Sequence, residues 1–172
     1  MWSTDESGVY QLPRVDGQGL RWDPHWPVMG ISFDDAQVYC SWYSARTGVK
    51  VRLPKEYEWE KAGRGGDGRL YPWGDYFEPT YCKMALSRAG QPVPEKVGQF
   101  AGDRSPYGIY DLSGLVSEYC NSEFSAAENQ KVGRGGNYQT TGAVQCRLTH
   151  RHPVQRDQPS LVHGFRLVRD PT

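Results

Sequence analysis

Apolar residues fall at helical spacing in one clear stretch of this chain: Ala36, Tyr39, Cys40 and Tyr43 occupy i, i+3, i+4 and i+7 and share one face. Ser32, ahead of Asp35, has the spacing of a capping box and Gly48 is a natural stop, so a helix is expected over 33–46. The run VRLPKEYEWEKAGRGG reads as a short strand, a proline-marked start and a second helix near 55–63, with Glu60 and Arg64 placed to pair. The glycines from Gly63 to Gly68 end that helix. GRGGDG has no following Lys-Ser/Thr and no strand feeding it, so it reads as a turn and not as a phosphate cradle. Residues 1–30 look extended and irregular, and WDPHWPVMGIS reads as a packed loop. Beyond Leu70 loops dominate, with strand candidates at 107–112, 115–120, 131–138, 144–150 and 164–169, and AENQ marks an exposed turn. The expected class is α+β.

Composition narrows this further. A chain of 172 residues suits one domain with a real core, and twenty glycines and twelve prolines match a fold made mostly of turns. Aromatics reach 13%, with six Trp and eleven Tyr, enough large side chains to tie irregular backbone together. Twenty basic and twenty acidic residues cancel, so there is no electrostatic footprint for nucleic acid and no polybasic membrane signal. No apolar run is long enough to span a bilayer. The polar Met1–Tyr10 does not read as a signal peptide, and a cytoplasmic setting is expected. Cys40, Cys82, Cys120 and Cys146 are widely spaced with no C-x-x-C pair, which argues for buried thiols over structural zinc; a Cys120–Cys146 bridge is the other reading.

The segments PVMGISFDDAQVYCSWYSARTG, VRLPKEYEWEKAGRGG, LYPWGDYF, SPYGIYDLSGLVSEYC, GRGGNY and GFRLV occur in an order similar to that of the formylglycine-generating-enzyme family. The similarity covers residues 27–169. It implies a C-type-lectin-like fold: two helices, a small twisted antiparallel sheet and much ordered loop, with residues 27–172 as the domain and 1–26 as an irregular N-terminal part of it. The stretch YQLPRVDGQGLRWDPHWPV resembles members attached to bacterial serine/threonine kinases, and the opening strands and first helix usual in the family are missing, so a larger multidomain protein is expected. Trp59 and Trp73 are expected to fill the interior, Gly135 and Gly136 to allow close backbone approach, and Arg147, Arg151 and Arg166 to strut loops.

The family's enzymes oxidise a target cysteine with copper and oxygen, using two cysteines five positions apart after the Gly-Gly motif; two soft thiolates suit Cu(I). Here that segment, NYQTTGAVQCRLTHRH, holds Cys146 alone. Leu115 and Lys83 replace motif asparagines at calcium-associated positions, removing hard oxygen donors. His150, His152 and His163 cluster, but lack a carboxylate or cysteine at matching spacing. The resemblance therefore implies no catalytic residues, no metal and no cofactor. It implies a binding module with a variable C-terminal face, as in the variable proteins of diversity-generating retroelements or a kinase-linked sensor. Framework-like GRGG, Arg151 and GFRLV alternate with an unpatterned set: Tyr138, Gln139, Thr140, Thr141, Val144, Gln145, His150, His152, Gln155, Arg156, Gln158 and His163. Such Tyr, Gln, Thr and His surfaces suit adaptable contacts to a protein or small-molecule ligand. A divergent oxidase acting through Cys146, an assembly domain and a functionless loop face remain alternatives.

Overall fold

The computed structural model describes residues 21–170, together with positions 3–4, 6–7, 10–11 and 15. The expected irregular segment 1–26 lies largely outside the described residues; within it, β1 (Ser3–Thr4) and β2 (Tyr10–Gln11) pair antiparallel.

Helix α1 spans Phe33–Thr47. Its start is fixed by the anticipated box: the Asp35 amide donates to Ser32 Oγ at 3.1 Å, and the Ser32 amide donates to the Asp35 carboxylate at 2.9 Å. Gly48 closes it at φ 72°, a left-handed conformation that glycine adopts without penalty. The buried stripe is Phe33, Ala36 and Cys40, packed on Leu53, Tyr119 and Val154. Tyr39 is turned further out than its spacing suggested, 40% exposed and edge-on to Phe165. Helix α2 spans Glu56–Arg64, with Glu58 accepting from the Lys55 amide and from both Arg52 Nη atoms. The Arg64 Nη1 bonds Glu60 at 2.7 Å as its i, i+4 spacing predicts. The glycine run that follows is a turn.

Strand β3 (Val51–Arg52) pairs antiparallel with β8 (Val168–Arg169). The larger sheet runs β6–β5–β4–β7, from Arg151–Gln155, Gln130–Arg134, Ser117–Ser125 and His163–Gly164. β4 and β7 are parallel, so the sheet is mixed and not purely antiparallel. The AENQ turn joins β4 to β5, with Asn129 at φ 55°, a conformation asparagine tolerates. Two expected strands are absent. Residues 107–112 wrap around the buried Asp103, whose carboxylate accepts the amides of Leu112, Ser113 and Gly114. Residues 144–150 form successive turns. The unanticipated β6 carries Pro153, which only an edge strand accommodates.

Trp59 is 1% exposed at the centre, against Leu112, Cys120, Val132 and Leu148, and its indole N–H donates to Glu118 at 2.7 Å. Trp73 is half-buried, stacked 5.1 Å from Tyr71 on the flank of a second cluster. Gly135 and Gly136 give the close approach expected: a Cβ on either would stand 2.7 Å from a carbonyl oxygen, of Leu112 or Ser113. Among the described residues no helix is long and apolar enough to cross a membrane.

Candidate functional site

The segment 137–148 is pinned to the rest of the domain by its backbone. The Tyr138 amide donates to Leu115 O at 3.0 Å, the Ala85 amide to Thr140 O at 2.9 Å, and the Leu148 amide to Leu70 O at 2.8 Å. The Tyr71 hydroxyl reaches Ala143 O at 3.2 Å. Between these fastenings Gln139, Thr141, Val144 and Gln145 face solvent, Val144 being 54% exposed. Thr140 is half-buried, its Oγ1 accepting from the Asn137 amide.

Tyr138 does not belong to that exposed group. It is 7% exposed, wedged between Met29 and Val116, with its hydroxyl 3.4 Å from Leu161 O. The histidines are likewise drawn inward, correcting the expectation of exposed side chains. His152 Nε2 and His163 Nε2 lie 2.9 Å apart, Ser160 Oγ is 2.7 Å from His163 Nδ1, and the His163 ring stacks on Tyr119 at 5.4 Å. Burial pushes both imidazoles down to about 4, His163 also acting on His152. His150 shares the His152 face, ring to ring at 5.7 Å, and its Nδ1 is buried without a partner among the described residues. At the far end Gln155 is half-buried, Gln158 is exposed, and Arg156 is exposed but held by Asp34 at 2.6 Å. The candidate residues thus divide into a solvent-facing row and a packed base.

The cysteines settle into three places. Cys40 and Cys120 lie in separate apolar clusters, whereas Cys82, from YCKM, shares one with Cys146, Tyr71 and Met84. All four thiols are free and buried. The neighbour of Cys146 is therefore Cys82 and not Cys120, a pairing that chain spacing gives no sign of. Contact with Cys146 and burial push the Cys82 thiol far up. The copper centre of the resembled enzymes would need two thiolates that a substrate cysteine can approach. Cys82 and Cys146 are both 0% exposed and roofed by aromatic side chains, so these residues do not fit such a centre.

Lys83, one of the two residues that depart from the resembled motif, is held inside the fold. Its ammonium is buried and paired with Glu95 at 3.0 Å, a fixed cation supplied by the chain itself. Leu115 sits at φ 71°, a left-handed backbone better suited to asparagine than to leucine. Of the three expected struts, Arg151 reaches Glu56 and Arg166 forks onto Glu118, but Arg147 Nε is buried without a partner among the described residues. Sequence reasoning missed an apolar groove beside GFRLV. A cleft of about 300 Å³ lined by Tyr110, Asp111, Leu115 and Glu118 adjoins one of about 450 Å³ lined by Ile31, Asp35, Tyr39 and Leu167; they share Val28, Phe165 and Arg166. No sequence feature announced it, because Tyr39, which lines it, was placed by its spacing on the apolar face of α1.

The family described as "Sulfatase-modifying factor enzyme 1-like domain" matches residues 2–171. The "Inactive C-alpha-formylglycine-generating enzyme 2" of Bos taurus is 34% identical over 97% of this chain and 58% of its own length. The "Serine/threonine-protein kinase pkn1" of Chlamydia caviae is 32% identical over 83% of this chain but only 24% of its own. The chain thus spans little more than half of the first relative and about a quarter of the second. Among solved structures, "Treponema denticola variable protein 1" superposes with a TM-score of 0.73 at 18% identity, over 91% of this chain and 73% of that one. The likeness establishes the fold.

Proposed function

This chain belongs to the sulfatase-modifying factor enzyme 1-like family, and from that premise we propose that it is a non-catalytic recognition domain that presents the 139–145 row to a ligand. The observation that carries the reading is the sealed thiol. The one cysteine in the segment where the family's enzymes hold two is packed against Cys82 at zero exposure, which closes that thiol to a substrate or a metal ion. Similarity to a relative named inactive supports the same conclusion. Exposed Gln139, Thr141, Val144 and Gln145 on backbone fastened at both ends offer adaptable polar contacts at little entropic cost to the ligand complex. In a longer protein the module would recognise while another domain acts, an arrangement that the kinase relative favours.

Two measurements test this. A copper-loaded sample given a cysteine-containing peptide should consume no oxygen beyond the peptide-free control; turnover that vanishes in Cys146→Ser would overturn the non-catalytic reading. Peptide and glycan arrays probed with the full chain should lose their signals at least tenfold in the variant carrying alanine at 139, 141, 144 and 145, with Tm unchanged. Equal signals from both proteins would remove the row from the site.

A further inference from the structure

Cys82 and Cys146 meet although they come from distant parts of the chain, and the backbone around each is already fixed to the other. The Leu148 amide bonds Leu70 O, the Ala85 amide bonds Thr140 O, and Tyr71 bonds Ala143 O, so hydrogen bonds bracket the thiol pair on both segments. Gly136 leaves the room that Cys146 occupies, since a Cβ there would stand 3.0 Å from its Sγ. The pair shares its cluster with Tyr71 and Met84, and each thiol is 0% exposed. Cys40 and Cys120 have no such neighbour; each packs among aliphatic and aromatic side chains in a cluster of its own.

We propose that Cys82 and Cys146 are a disulfide-forming pair, closed by exchange with a small disulfide during folding, and that the bond fastens the 139–145 segment to the 70–85 shell. In the first step the thiolate of one cysteine attacks the oxidant's S–S bond, forming a mixed disulfide and releasing one small thiol. In the second, the thiolate of the other attacks the protein sulfur of that mixed disulfide, forming the Cys82–Cys146 bond and releasing the second small thiol. Two electrons pass to the oxidant, and the two protons lost by the cysteines end on the released thiols. The exchange belongs to the folding chain. Once the aromatic roof closes, the Cys82 thiol is held far above its ordinary value and no attacking disulfide reaches either sulfur. The same burial shields the finished bond from reductant. A long closed loop takes the most freedom from the unfolded chain, so the effect on stability is large. The inference is independent of whether the 139–145 row binds anything.

The full chain, refolded from denaturant in a mixture of oxidised and reduced glutathione, is alkylated under denaturing conditions and digested without reduction. The expected product has alkyl groups on Cys40 and Cys120 only, and one linked peptide pair joining Cys82 to Cys146. Its Tm should exceed that of protein refolded with reductant by about 10 °C. The Cys40→Ala/Cys120→Ala variant should give the same link and the same Tm difference, which keeps the test intact if a substitution at Cys82 or Cys146 impairs folding. Four alkylated cysteines after oxidative refolding, or a link from Cys146 to Cys120 or Cys40, would overturn the proposal.

Discussion

Arg166 grips Glu118 with two donors, Nε and Nη2 each 2.5 Å from a different carboxylate oxygen, while the Trp59 indole takes a second bond to Oε2. The contact ties GFRLV to β4 and α2, and Glu118 is only 5% exposed. Removing one member of a buried pair strands the other charge away from water. Arg166→Met should therefore cost about 3 kcal/mol or more in urea unfolding. Arg166→Lys, which keeps the charge but loses the fork, should fall between it and the parent.

Gly133 lies beneath His152, where a Cβ would come 2.4 Å from Nε2. The ring has little freedom to retreat because His163 and the neighbouring His150 hold it. Gly133→Ala should destabilise by about 1–3 kcal/mol through overpacking. In a His152→Ala background the same change should be close to neutral, and a double-mutant cycle reads the coupling directly.

Acid should weaken the fold through the histidine pair. Both imidazoles are held down to about 4 in the folded state, against an ordinary 6.5 when unfolded. As pH falls from 6.5 towards 4, the unfolded chain takes up protons that the folded one refuses. Stability present above pH 6.5 is thus lost across that window, by about 3 kcal/mol for one excluded proton. Asp103 works in the opposite sense: burial pushes its carboxyl up to about 7, so its contribution grows as pH falls below that. Urea midpoints measured from pH 7.5 to 4 should show a shallower acid loss in His163→Gln than in the parent.

The divided C-terminal face predicts two kinds of variant. Tyr138→Ala opens a hole between Met29 and Val116 and should cost about 3–5 kcal/mol. Gln139→Ala and Gln145→Ala remove exposed side chains and should stay within about 0.5 kcal/mol of the parent. Thermal melts of the three single variants separate the packed base from the accessible row.

What was legible in the amino-acid sequence was local. The capping box of Ser32 and Asp35, the stop at Gly48, the Glu60–Arg64 pair and the Asn129 turn each depend on neighbours within a helical turn or a hairpin, where chain geometry leaves few choices. The ordered motifs gave the family and the fold. The strands were less legible, because their pairing depends on distant partners: 144–150 alternates enough to suggest a strand but is held in turns by local backbone bonds and by the Leu148 bond to Leu70, and β6 is hidden by Pro153.

Tertiary structure alone decided which of the candidate residues are exposed. Tyr138, His152 and His163 have the composition of a binding surface, yet a side chain's exposure is set by what the rest of the chain lays over it: Met29 and Val116 pack on Tyr138, Tyr119 stacks on His163, and His163 packs on His152. The partner of Cys146 was equally beyond reach, since nothing in the spacing of four cysteines favours Cys82 until loops 70–85 and 137–148 are hydrogen-bonded side by side. Sequence determined which residue types stand in the C-terminal segment and that Cys146 is the one cysteine there. Packing decided which of them meet solvent, because burial is a property of pairs distant in the chain.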